Sequence, residues 1–80
     1  MPDIDTVRIA AREVVADMVG SNLSDEESLI SSGRIDSLSI LNLISKMEGR
    51  LGIRLKTSGL QPDDFDTIDL IAETVLRAKA

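Results

Sequence analysis

Thiol and imidazole chemistry are closed to this chain. Its 80 residues contain no Cys and no His, which together removes disulfides, thiol and imidazole nucleophiles, catalytic triads and most zinc sites. Asp63, Asp64, Asp66 and Asp69 are dense enough to suggest calcium. An EF-hand, however, needs alternating ligands, a central Gly and a terminal Glu at fixed spacing, and that pattern is missing. Acids at a helix start are favoured by the helix dipole, so capping is the simpler expectation and no metal site is expected. Asp25-Glu26-Glu27 reads as a solvated face. The informative segment is Leu29-Ile30-Ser31-Ser32-Gly33-Arg34-Ile35-Asp36-Ser37-Leu38. Asp36 is a good N-cap, and Ser37 falls on the first turn of the helix it opens, with its hydroxyl outside the core. A phosphate attached there would lie near unpaired helix N–H groups and the positive end of the dipole. Taken alone, Asp36-Ser37-Leu38 is three common residues at an ordinary helix start.

Three main helices and a short fourth one must position that serine. Ile4, Val7, Ala11, Val14, Val15 and Met18 follow helical spacing, with Asp3 or Asp5 as cap and Gly20 as a left-handed stop. From Ser21 to Asp36 the periodicity fails. Ser21, Asn22, Ser24, Ser28, Ser31, Ser32 and Gly33 favour turns, and Ser24-Asp25-Glu26-Glu27 has the form of a capping box. Leu23, Leu29, Ile30 and Ile35 are expected to pin this long loop to the core, and loops of such length are often functional. The helix from Ser37 ends at Gly49 or Gly52 and buries Ile40, Leu43, Ile44, Met47 and Leu51. Leu38 and Leu41 fall off that stripe, beside Asn42 and Ser45, which makes these four the candidate partner-binding face. Gly52-Ile53-Arg54-Leu55-Lys56 reads as an extended connector with no strand partner. Pro62-Asp63-Asp64-Phe65 reads as a short helical turn that sends Phe65 inward. Asp66 or Thr67 caps a last helix burying Ile68, Ile71, Ala72, Val75 and Leu76. The expected architecture is all-α: a small four-helix bundle, one domain over residues 1–80, with a long loop between the first two main helices.

Composition narrows the function. Nine Lys and Arg against 14 Asp and Glu give a net charge of −5, which argues against nucleic acid or an anionic membrane as partner. Phe65 is the sole aromatic residue, so no base-stacking platform exists. No stretch approaches the ~18 apolar residues of a membrane span, and no secretory leader pattern is visible. Lack of cysteine is compatible with the cytoplasm. With few means to catalyse anything by itself, the chain is expected to be a binder or carrier, not an enzyme, and a monomer.

At these residues the chain resembles the acyl carrier protein family, including peptidyl and aminoacyl carriers. The resemblance runs through the first amphipathic helix, the long loop, Gly33-Arg34-Ile35-Asp36-Ser37-Leu38, the helix after it, Gly52-Ile53-Arg54-Leu55, and Pro62-Asp63-Asp64-Phe65 before the final helix. It implies that a phosphopantetheinyl transferase moves 4′-phosphopantetheine from coenzyme A onto Ser37 as a phosphodiester. Asp36 would help present that serine and the magnesium the transferase uses. The arm's terminal thiol would then hold an acyl or aminoacyl group as a thioester, taken from a loading enzyme and passed to acceptor enzymes. One departure stands out. Fatty-acid carriers usually have acidic residues along the helix after the serine, whereas here Ser37 to Arg50 holds two basic residues and one acidic, a sum of +1. The chain is thus closer to free-standing carriers of specialised polyketide, nonribosomal peptide or aminoacyl-transfer pathways than to the housekeeping fatty-acid carrier. The rival expectation is a small helical adaptor that binds a partner through Leu38 and Leu41 without any cofactor.

Overall fold

The computed structural model describes residues 3–20, 23–24 and 26–79. Helix α1 spans Ile4–Val19, α2 spans Ser37–Leu51 and α3 spans Ile68–Ala78, with a 3₁₀ turn at Pro62–Phe65 between the last two. Each start has a side-chain cap, which satisfies an N–H that the first turn leaves unpaired. Asp3 accepts from the Thr6 amide at 2.8 Å, Asp36 from Ser39 at 2.8 Å, and Thr67 Oγ1 from Leu70 at 3.0 Å. Of the two possible stops for α2, the chain uses Gly52. It adopts the left-handed conformation at φ 66° and donates to the Glu48 carbonyl at 2.9 Å, while Gly49 stays inside the helix. Gly20 ends α1 in the same way at φ 78°.

The core is built from the expected stripes. Val7, Ala11, Val14 and Val15 of α1 meet Leu43, Ile44 and Met47 of α2 and Ile68, Ile71, Ala72 and Val75 of α3, with Phe65 buried among them. Leu51 and Leu76 are only partly buried at its margin. Arg8 ties α1 to α3 through a 2.9 Å contact with Asp69, and also reaches Asp5 at 2.9 Å. Thr74, buried on α3, donates its hydroxyl to the Asp64 carbonyl at 2.9 Å and so fixes the 3₁₀ turn on the helix that follows.

One connection differs from the sequence expectation, and one open choice of cap is decided. The Gly52–Lys56 connector does find a pairing partner: Leu55 forms an isolated antiparallel bridge with Lys79, and Lys56 donates to the Ala78 carbonyl at 2.7 Å. Asp66 does not cap α3, since Thr67 takes that role. In the long loop, Leu29 and Ile35 are buried while Leu23 and Ile30 pack partly against the core, as their apolar character requires. Glu27 donates to the Ser24 carbonyl at 3.2 Å. Ser21, Asn22 and Asp25 lie outside the described residues, and with them part of the turns expected there.

Candidate functional site

The loop delivers the chain to Ser37 through a knot centred on Leu29. The Leu29 carbonyl accepts from the amides of Arg34 and Ile35, at 3.0 and 3.1 Å, while its side chain is fully buried. Glu27 and Arg34 pair across the knot at 2.7 Å. Asp36 then leaves the loop in extended conformation, φ −105° and ψ 177°. Its carboxyl is held below the ordinary value, chiefly by hydrogen bonding from Ser39, so it is ionised at neutral pH.

Ser37 is the first residue of α2 and is exposed. It therefore stands at the end of α2 where the helix dipole favours negative charge. A groove of about 260 Å³ opens at Ser37. Ile40 and Ile44 of α2 form one wall, and Leu60, Pro62 and Phe65 form the other. An anionic group carried on Ser37 fits the helix start, and an apolar extension fits the groove beside it.

Leu38 and Leu41 point away from the core, 78% and 66% exposed, and Asn42 and Ser45 are exposed on the same side of α2. Two of the three charges of this helix, Glu48 and Arg50, are engaged by other parts of the chain. Glu48 Oε2 accepts from the Leu55 amide at 2.9 Å, and Arg50 pairs with Glu13 of α1 at 2.6 Å. The acids around the 3₁₀ turn have structural work: Asp64 Oδ2 accepts from the Gln61 amide at 2.9 Å, and Asp69 holds Arg8. Among the described residues no three such side chains come together in a way that could hold a metal ion. Nor is any helix of the described residues long and apolar enough to cross a membrane.

What sequence reasoning missed is Asp66. Its Oδ1 accepts from the Ser28 hydroxyl at 2.9 Å, the Ile30 amide at 2.9 Å and the Ser31 amide at 3.2 Å. Hydrogen bonding from Ser28 first, then from Ser31 and Ile30, holds this carboxyl below its ordinary value. These partners stand 35 to 38 positions away in the chain, so no local spacing could have revealed them.

The profile of the phosphopantetheine attachment site family matches residues 10–75, from α1 through most of α3. The chain belongs to this family. Carrier proteins of this kind have a covalently attached 4′-phosphopantetheine, and that is the cofactor of this chain. Bound, the group supplies a thiol on which cargo is held as a thioester, in a chain that has no thiol of its own. The D-alanyl carrier protein of Streptococcus sanguinis is 32% identical over 65 residues, covering 79% of this chain and 82% of that one. Those of Streptococcus gordonii and Streptococcus thermophilus are 31% identical over 71 residues, covering 86% of this chain and 90% of theirs. This protein is therefore a carrier protein, and the cofactor-free adaptor is left without support. Carriers work with a phosphopantetheinyl transferase and with loading and acceptor enzymes.

Proposed function

We propose that Ser37 is the attachment point, and that this carrier is a non-catalytic, single-domain shuttle for an aminoacyl group in a specialised pathway. The observation that carries the reading is the place of Ser37: exposed, first in α2, directly after an ionised cap, at the mouth of an apolar groove. Its Oγ gives up its proton to a base and bonds to the phosphorus of the pantetheine phosphate, the pyrophosphate bond of coenzyme A breaks, and adenosine 3′,5′-bisphosphate leaves. The N–H groups of the first turn then face the phosphate, an arrangement that helix starts favour. Asp36 holds the helix start in place and offers a carboxylate for presenting the serine to the transferase and its magnesium.

The cargo assignment draws on the relatives, which are D-alanyl carrier proteins. It also draws on α2, whose one acid is engaged by the connector, so basic partner patches find little to grip. Docking of loading and acceptor enzymes falls instead to Leu38 and Leu41, with Asn42 and Ser45 as polar neighbours. The same reading has the protein working in the cytoplasm as a monomer.

The test is intact mass after co-expression with a phosphopantetheinyl transferase. The wild-type chain gains one arm, and Ser37→Ala gains none while folding normally, because the Asp36 cap remains and Ala is a good helix former. Stoichiometric modification of the alanine variant would show that Ser37 is not the site. Loading of the holo chain with D-alanine, and none with a long fatty acyl group, supports the aminoacyl assignment; the reverse pattern removes it.

A further inference from the structure

Asp66 takes its side-chain hydrogen bonds from residues 28–31, and it is where the long loop is fastened to the body of the protein. Three donors from residues 28–31 converge on its Oδ1. Its own carbonyl accepts from the Leu29 amide at 2.6 Å. The fastened segment is itself rigidly tied: Ser32 Oγ donates to the Ser28 carbonyl at 2.7 Å, and Arg34 and Ile35 close onto Leu29. From Ile35 the chain runs through a single residue, Asp36, to Ser37. On its other side Asp66 follows Phe65, a wall of the groove, and precedes Thr67, the cap of α3. One carboxylate thus joins the segment that delivers the serine to the piece that forms the opposite side of the groove.

We infer that Asp66 is a positioning residue for pantetheinylation, fixing through residues 28–31 where α2 begins and so where Ser37 Oγ is offered to the transferase. This rests on Ser37 being the attachment point. The middle of α2 is anchored independently, by the fully buried Leu43 and Met47. Removing the Asp66 carboxylate therefore loosens the segment that leads into the helix, which keeps only its apolar anchors Leu29 and Ile35 and the backbone bond of Leu29, and leaves the exposed face of α2 standing. A displacement of about 1 Å at a reacting atom can cost up to roughly a hundredfold in rate, so loosening one tether has ample leverage.

Because all three side-chain bonds fall on Oδ1, Asp66→Asn keeps an acceptor there and removes only the charge, whereas Asp66→Ala removes the acceptor. The experiment is steady-state transfer from coenzyme A to the full-length apo chain, with the carrier as varied substrate, at a temperature below each variant's unfolding transition. Asp66→Ala is expected to lower kcat about tenfold or more with KM within about twofold, the pattern of a displaced reacting group on an intact docking face. Asp66→Asn stays within about threefold of wild type, the geometry being kept. Destabilisation alone behaves differently: an unfolded fraction dilutes the substrate, raising the apparent KM and leaving kcat unchanged. Should Asp66→Ala not fold, Ser28→Ala removes a single donor and is expected to lower kcat about twofold to fivefold. Wild-type kcat in Asp66→Ala, a rise in KM alone, an Asn variant as slow as the Ala variant, or wild-type kcat in Ser28→Ala where the Ala variant is unfolded overturns the inference while Ser37 keeps its role. Absence of any transfer to the wild-type chain overturns the attachment point, and this inference with it.

Discussion

Leu41 and Leu43 are the same residue type, two positions apart on one helix, and the structure gives them opposite exposure. Leu43 is fully buried and Leu41 is 66% exposed. Truncating a buried leucine to alanine removes its transfer free energy and leaves a cavity, about 2–5 kcal/mol in total. Leu41 hides only a third of its surface, so of the ~1.5–3 kcal/mol that complete burial of a leucine is worth, about 0.5–1 kcal/mol is at stake. Alanine's higher helix propensity returns a few tenths of a kcal/mol. In a domain of this size each kcal/mol shifts Tm by about 4–8 °C. Leu43→Ala should therefore melt roughly 8–40 °C lower, and Leu41→Ala about 5 °C lower or less. Thermal and urea unfolding followed by far-ultraviolet circular dichroism measure both. The loading assay inverts the ranking: at temperatures where both are folded, Leu41→Ala loses about tenfold or more in kcat/KM, as a central apolar contact does, and Leu43→Ala much less. Comparable melting points for the two variants would refute the assignment of faces on α2. Unchanged loading of Leu41→Ala would refute docking through that face.

The two glycines at the end of α2 predict opposite signs. Gly52→Ala should cost about 1–2 kcal/mol for a left-handed alanine, whereas Gly49→Ala, within the helix and with open space around the new methyl, should add about 0.5–1 kcal/mol; urea midpoints check both. The Asp36 carboxyl titrates below its ordinary value of 3.8 when folded. Its contribution is thus complete above that value and is lost as pH falls through the lower folded value, so Asp36→Asn should flatten the acid side of the stability profile and leave the neutral side parallel to wild type. Loading kinetics should change less than about threefold between 50 and 300 mM salt, because α2 presents little negative field to screen; a carrier-specific drop of tenfold or more would point to electrostatic docking.

Where local rules decide the outcome, the sequence is transparent. Ile40, Leu43, Ile44 and Met47 could be assigned to the core and Leu38 and Leu41 to the surface because helical periodicity alone separates them. Ser37 stood out because Asp36 is a strong cap and fixes which residue comes first. Choosing between Gly49 and Gly52 was beyond local rules: both can end a helix, and packing of Leu51 against the core margin carries α2 past the first of them. The pairing of Leu55 with Lys79 and the convergence of Ser28, Ile30 and Ser31 on Asp66 join segments distant in sequence. Neither leaves a pattern in the residues themselves. At Asp66 two roles were chemically open to the same carboxylate, and Thr67, whose hydroxyl reaches Leu70, freed it for the loop. The groove is likewise assembled from separate stretches of chain, each unremarkable alone.

The packing of α1 against α3, more extensive than that of α1 against α2, has a consequence for how the protein comes into being. Its first helix finds its main partner in its last, and the Arg8–Asp69 contact spans 61 positions. A ribosome adding about 5–20 residues per second needs several seconds to bring out α3 after α1. A helical bundle of this size then collapses in microseconds to milliseconds. Until α3 is made, therefore, α1 has only α2 to pack against, and the loop that leads to Ser37 has no Asp66 to close upon. If Ser37 is the attachment point and Asp66 positions it, the arm is placed on chains in which α3 has already joined the loop, and withheld from those in which it has not.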